Sequence, residues 1–199
     1  MILFRSRYRR KKELIYGGTA TPLSQSRYSL SATTVGNYAL FGGGYYYNTV
    51  DAYDNSLTRT TPTPLSQARY SLSATTVGNY ALFGGGSNNS GSYYNTVDAY
   101  DDSLTRTTPT PLSQSRTDLS ATTVGNYALF GGGFSYYSGS STYYDTVDAY
   151  DDSLTRTTPT PLSQSRGGLS ATTVGNYALF GGGYISGGRY NIVDVYTLK

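Results

Sequence analysis

The thirteen residues ATTVGNYALFGGG occur four times without a change, at 32–44, 74–86, 121–133 and 171–183. Their triple glycines begin at 42, 84, 131 and 181, so the units are spaced by 42, 47 and 50 residues. Repeats of about 40–50 residues with strand-like content build radial arrays of four-stranded sheets. The content here is strand-like. Tyr (23 of 199 residues), Thr and Val suit short strands, and 24 glycines suit tight turns. No stretch carries the 3.6-residue apolar period of a helix. The chain is expected to be all-β.

One unit reads as four short strands. Strand a is SLSATTV (29–35), b is NYALFGG (37–43), c is TVDAYD (49–54) and d is LTRTTPTPL (57–65). The a–b connection is a Gly-Asn turn of hairpin length, and c–d turns at DNS or DDS. The prolines of each unit fall only in strand d and the run after it. Proline cannot donate to a ladder, so d is the outer edge of each sheet and a the inner one.

These residues bring a known family into view. A strand ends in a glycine pair, a Tyr follows 10 to 18 residues on, and a Pro-rich outer strand leads to Arg. The positions are Gly42–Gly43 with Tyr53 and Arg69, Gly84–Gly85 with Tyr100 and Arg116, Gly131–Gly132 with Tyr150 and Arg166, and Gly181–Gly182 with Tyr196. The pattern resembles the kelch repeat and covers nearly everything after residue 13. It departs from that family in strand d, where a Trp is usual and this chain, which has no Trp, reads TRTTPTP. The resemblance implies a β-propeller of four kelch-type blades, at about 28–65, 70–112, 117–162, and 168–199 plus 13–23.

The fourth blade is assigned from both ends of the chain. ELIYGGTATPLSQSR (13–27) aligns without a gap to DSLTRTTPTPLSQSR (102–116), while the last repeat stops after strand c. An N-terminal outer strand joining the C-terminal three strands would close the ring and remove its open edge. Two alternatives share the same repeat count: a piece of a longer array, or two chains sharing one larger ring. Residues 1–12 stand apart as a basic tail, with Arg5, Arg7, Arg9, Arg10, Lys11 and Lys12. The tail is expected to be a solvated arm, and it is the one segment suited to nucleic acid.

The composition argues against chemistry. The chain has no Cys and no His, and Glu13 is its only glutamate. Thiol catalysis and zinc-thiolate sites are thereby excluded, and the commonest general base and metal ligand is missing. The kelch family includes copper oxidases and sugar epimerases; the oxidase likeness would imply Cys and His ligands. Asp51, Asp98, Asp148 and Asp194 recur with Arg27, Arg69, Arg116 and Arg166 once per unit. Such recurrence reads as a structural ion pair between blades, with a ring binding an ion as the alternative. No enzyme, cofactor or metal is expected.

What varies lies elsewhere. The b–c connections read YYYN (45–48), SNNSGSYYN (87–95), FSYYSGSSTYYD (134–145) and YISGGRYN (184–191). A second variable site follows strand d, at Tyr28–Ser29, Tyr70–Ser71, Thr117–Asp118 and Gly167–Gly168. Connections alternate between the two ends of an antiparallel sheet, so both variable sites belong to one face. Tyr, Ser, Gly and Asn are the vocabulary of binding loops on a rigid scaffold. The candidate ligand-binding residues are Tyr28, Tyr45, Tyr46, Tyr47, Tyr70, Tyr93, Tyr94, Asp118, Tyr136, Tyr137, Tyr143, Tyr144, Tyr184, Arg189 and Tyr190.

The expected function is a non-enzymatic interaction module whose Tyr-rich loop face meets a protein partner. The alternative is carbohydrate binding or surface attachment, within a larger adhesin or phage-tail-like protein. No segment approaches the ~20 apolar residues of a membrane span. With no export signal read in the sequence the localisation is left open, the cytoplasm being the default, and a monomer is favoured, with a dimer as the alternative.

Overall fold

The computed structural model describes residues 12–199; the basic run from Arg5 to Lys11 lies outside the described residues. Strands account for all the regular structure among them, so no helix is present to cross a membrane. The first three repeats each form a four-stranded antiparallel sheet. The first sheet contains β1 (Ser31–Val35), β2 (Tyr38–Gly42), β3 (Val50–Tyr53) and β4 (Arg59–Thr60) in that order. The second contains β5 (Ser73–Val77), β6 (Tyr80–Gly84), β7 (Val97–Tyr100) and β8 (Arg106–Thr107). The third has β9 (Ser120–Val124) and β10 (Tyr127–Gly131), then β13 (Val147–Tyr150) and β14 (Arg156–Thr157), with a separate hairpin of β11 (Phe134–Tyr137) and β12 (Ser140–Tyr143) between them. The fourth has β15 (Ser170–Val174), β16 (Tyr177–Gly181) and β19 (Val193–Thr197), with the hairpin β17 (Tyr184–Ile185) and β18 (Gly188–Arg189).

The register repeats with the sequence. Tyr38, Tyr80, Tyr127 and Tyr177 each pair with the Val that precedes the Gly-Asn turn, and Phe41, Phe83, Phe130 and Phe180 each lie opposite an Asp of the third strand. The outer strand is shorter than expected. Only the Arg-Thr pair joins the ladder, because Pro62, Pro64 and their repeats follow it and carry no N–H.

The sheets are held to one another by the inner strands, with β1 packed on β5, β5 on β9 and β9 on β15. Between them sit three apolar clusters, one per junction. The wedge at each junction is a phenylalanine. A Cβ placed on Gly84 would lie 2.8 Å from Cε1 of Phe130, so the ring of the third sheet rests on the bare backbone of the second. The absence of Trp therefore leaves no loose packing: Phe83, Phe130 and Phe180 are fully buried, each worth about 1.5–3 kcal/mol of transfer free energy. The eight tyrosines of the second and third strands, Tyr38, Tyr80, Tyr127 and Tyr177 with Tyr53, Tyr100, Tyr150 and Tyr196, divide. Tyr100 and Tyr150 are fully buried, whereas Tyr177 is 51% exposed and the others are half-buried.

The fourfold Asp and Arg are structural. Arg69, in the run linking the first sheet to the second, donates to Asp98 at 2.7 Å and to the carbonyls of Phe83 and Gly85. Ser66 adds its N–H and hydroxyl to the same carboxylate, and Arg106 approaches it from the outer strand. Arg27–Asp51, Arg116–Asp148 and Arg166–Asp194 repeat the pair at 2.7–2.9 Å. A buried pair of this kind fixes geometry; removing one partner leaves a charge out of water.

The last sheet differs from the expectation. It has three strands, and residues 12–20 form no strand beside β19. Leu14, Ile15 and Tyr16 are almost fully exposed. The segment from Thr21 onward instead follows the internal pattern, with the Thr21 carbonyl accepting from the Tyr53 hydroxyl and Ser24 donating to Asp51. An N-terminal strand that spans Gly17 and Gly18 has little local preference to form alone.

Candidate functional site

Both variable connections emerge on one face and are joined to each other by hydrogen bonds. Thr117 and Phe134 exchange both backbone hydrogen bonds, as do Tyr70 with Ser87 and Gly167 with Tyr184. In the first sheet the Tyr45 N–H donates to the Tyr28 carbonyl. Neighbouring sheets are stitched along the same face: Ser71 N–H donates to Ser29, Asp118 N–H to Ser71 and Gly168 N–H to Asp118. All four of these residues have positive φ, from 49° to 61°. Gly, and less freely Asp, tolerate that conformation, which suits Gly168 and Asp118 to this position, while Ser29 and Ser71 hold it at a backbone cost.

Two of the variable b–c connections are hairpins, those of the third and fourth repeats. In the third repeat Ser138 and Gly139 both have positive φ (50° and 84°), the geometry of a two-residue hairpin turn. Phe134 then lies opposite Tyr143 and Tyr137 opposite Ser140. The Ser-Gly pair within a Tyr-rich run was the available signal for this hairpin. It raises Tyr136 and Tyr137 into solvent, 49% and 54% exposed.

The candidate tyrosines gather into two clusters. On the first two sheets Tyr45 stacks on Tyr28 (centroids 5.0 Å apart, planes 19° apart) and meets Tyr46 at 4.3 Å and Tyr70 at 5.1 Å. Tyr28 and Tyr46 are the exposed members. Across the second, third and fourth sheets Tyr93 meets Tyr137 at 5.3 Å, and Phe134 bridges Tyr93, Tyr143 and Tyr184 at 6.4, 5.5 and 6.3 Å. Phe134 is absent from the sequence-based set although it occupies the position of Tyr45 and Tyr184 directly after the triple glycine. Asp118 accepts weakly from the Tyr184 hydroxyl at 3.4 Å.

Four candidates serve the scaffold instead. The carbonyls of Tyr47, Tyr94 and Tyr144 accept the N–H of Arg69, Arg116 and Arg166, and the Tyr190 N–H donates to Gly183. The Tyr94 hydroxyl accepts from Asn88 Nδ2 at 2.7 Å, and the Tyr144 hydroxyl pairs with Ser135 Oγ at 2.9 Å. Asn88 also accepts from the N–H groups of Ser90 and Ser92 and so closes its own turn. Arg189 is exposed on β18, outside both clusters.

The electrostatics are those of a neutral surface. The hydrogen bond with Tyr46, then burial, pushes the Tyr45 hydroxyl up from its ordinary value. Burial raises Tyr93, and burial followed by the Asp118 charge raises Tyr184. None of these phenols is primed to ionise near neutral pH. Between the first two sheets the face dips into a groove of about 450 Å³ lined by Tyr46, Gln67, Tyr70, Asn89, Ser90 and Tyr94. What the arrangement offers is aromatic area with hydroxyl and amide groups at its rim, suited to contact rather than to proton transfer.

No known family profile matches the chain, and no curated protein matches its sequence. Among solved structures, that of YjhT is similar, with a TM-score of 0.72 at 13% identity. The match covers 86% of this chain and 66% of YjhT, so the chain spans just under two thirds of that protein's length. At this identity the likeness is one of fold.

Proposed function

We propose that the chain is a kelch-type β-propeller module without enzymatic activity, whose loop face binds a protein partner. The observation that carries this reading is the pair of aromatic clusters built where the repeats differ, on connections that the constant strands hold at one face. Tyr28, Tyr46, Tyr136 and Tyr137 place large amphipathic side chains in solvent, and aromatic anchors of this kind dominate protein interfaces. In this reading the four sheets are propeller blades, and the fourth is completed by an outer strand of the 13–23 sequence, which does not lie beside β19 within a single chain.

A second reading, carbohydrate binding, is favoured by the groove alone. Tyr46 and Tyr70 supply ring faces there, and Gln67, Asn89 and Ser90 supply hydrogen-bonding groups. The two readings part in one experiment. Affinity capture from extract and a glycan panel are run in parallel with the wild-type chain and with a Tyr46→Ser, Tyr93→Ser, Tyr137→Ser variant. A protein retained by the wild type and lost from the variant supports the first reading. A glycan lost in the same way replaces it with the second, and ligands retained equally by both proteins overturn the assignment of this face.

A further inference from the structure

The three internal junctions are built alike. Phe83 rests on Gly42, Phe130 on Gly84 and Phe180 on Gly131, each within 2.7–2.8 Å of where a Cβ would stand. Thr33 and Thr76 share a hydrogen bond of 2.8 Å, as do Thr75 with Thr123 and Thr122 with Thr173. Leu104 packs over the cluster holding Val35 and Tyr38, and Leu154 over that holding Val77 and Tyr80. Both leucines hold a left-handed backbone, φ 63° and 61°, a conformation that L side chains adopt at a cost.

At the two ends of the array the halves of this junction stand open. Gly181 meets only its own Val193 at 3.5 Å, with no phenylalanine above it. Val174, Val193 and Val195 are 54–60% exposed, whereas their counterparts in the other sheets are buried. Thr172 is exposed where Thr75 and Thr122 are buried. The first sheet shows the matching half: Phe41 is only partly covered, Thr34 is exposed, and Leu57 keeps φ 60° while 60% exposed. A groove of about 290 Å³ at the third junction lies against Val124, Tyr127, Leu129 and Ala149; the half-exposed Leu198 lines its edge, but it stands two residues short of the position that Leu104 and Leu154 hold in the other sheets. Ile15 aligns with those two leucines and, with Leu14 and Tyr16, is exposed.

We infer that a second copy of this chain docks head to tail on the fourth sheet. Its Phe41 covers Gly181, its Thr34 meets Thr172, and its Ile15 fills the groove as its N-terminal segment supplies the missing outer strand. The occupant is a copy because the open faces are the two halves of a junction the molecule already makes three times, from the same residues in the same register. Its own first sheet does not take that place: β15 has no packing on β1 comparable to that of β9 on β15, and residues 12–20 are exposed throughout. Each chain carries one face of each kind, so the contact is heterologous, and two chains joined at both ends close a ring of eight sheets.

The chain has no cysteine, which makes a disulfide test clean. In the full chain carrying Thr34→Cys and Thr172→Cys, mild oxidation should give a reducible species at twice the chain mass of 21.5 kDa, or at higher multiples. A disulfide within a monomer would overturn the inference in favour of the chain's own first sheet. Free thiols on a monomer would overturn it outright. Wild-type sedimentation at the dimer mass should fall to the monomer in Phe41→Asp and in Val193→Asp, and mixing the two variants should restore a one-to-one pair through their unaltered faces. Association unchanged in both variants would also overturn it.

Discussion

The guanidinium of Arg116 donates to Asp148 at 2.7 Å with both side chains closed off from solvent, although the two residues lie on opposite sides of a sheet boundary. Arg116 belongs to the run that leaves the second sheet, and Asp148 to the third strand of the next. The same guanidinium donates to the carbonyls of Phe130 and Thr146. One side chain thus fixes the linker, the ladder and the neighbouring sheet together. Burial pulls the Arg116 group down from its ordinary value while Asp148 opposes that pull.

Replacing Arg116 by Ala should therefore cost about 1.5–3 kcal/mol, the worth of a charged hydrogen bond, because Arg156 still donates to the other Asp148 oxygen at 2.9 Å. Urea unfolding of the variant checks this. A loss under about 1 kcal/mol, the range of exposed pairs, would contradict the structural role.

Gly84→Ala should destabilise the fold by about 1–3 kcal/mol, because the new methyl meets the Phe130 ring. Adding Phe130→Leu should recover part of the loss, a coupling that a double-mutant cycle measures. Gly181→Ala is the control. In the isolated monomer it has no facing ring and should change stability little.

Burial first, then the Asp194 charge, pushes the Tyr196 hydroxyl up to about 12. The folded value lies above the ordinary phenol value of about 10, so its contribution is fully present below about pH 10 and is lost as pH rises toward 12. Tyr100 and Tyr150, deeper still, are raised in the same sense. Tyrosinate absorbance followed with pH should show a fraction of the phenols ionising late and together with unfolding. Ionisation of every tyrosine in one early step would contradict this.

Acid acts on the same sheet in the opposite sense. Burial favours the neutral form of Asp194, yet the hydrogen bonds from Arg166 and Ser163 outweigh it and hold the carboxyl below its ordinary value. Its stabilisation is present above the unfolded carboxylate value of about 3.9 and is lost as pH falls through the depressed folded one. Asp194→Asn should flatten that acid limb in pH-dependent unfolding, and an unchanged limb would count against the pair.

Much of the fold was legible because the repeat fixed the register: identical letters take identical strands, and the prolines marked the outer edge. That Phe, not Tyr or Trp, forms the wedge was hidden, since Phe41, Phe83, Phe130 and Phe180 sit beside the conspicuous glycines. The shared face of the two variable sites followed from strand order. Which tyrosines lie at the surface did not. Tyr93 and Tyr94 are adjacent in sequence, and one joins an aromatic cluster while the other holds Asn88 and the Arg116 backbone. Alternation along a short strand decides that difference, and an irregular connection gives no period from which to read it.

The central claim is that ligand engages the variable face. Hydrogen exchange of the full chain, with and without the ligand that the capture or glycan experiment yields, tests it most directly. Protection at 45–47, 87–94, 134–144 and 184–190 is the result predicted. Protection confined to the opposite turns, at 36–37, 54–56, 78–79 and 101–103, would contradict it.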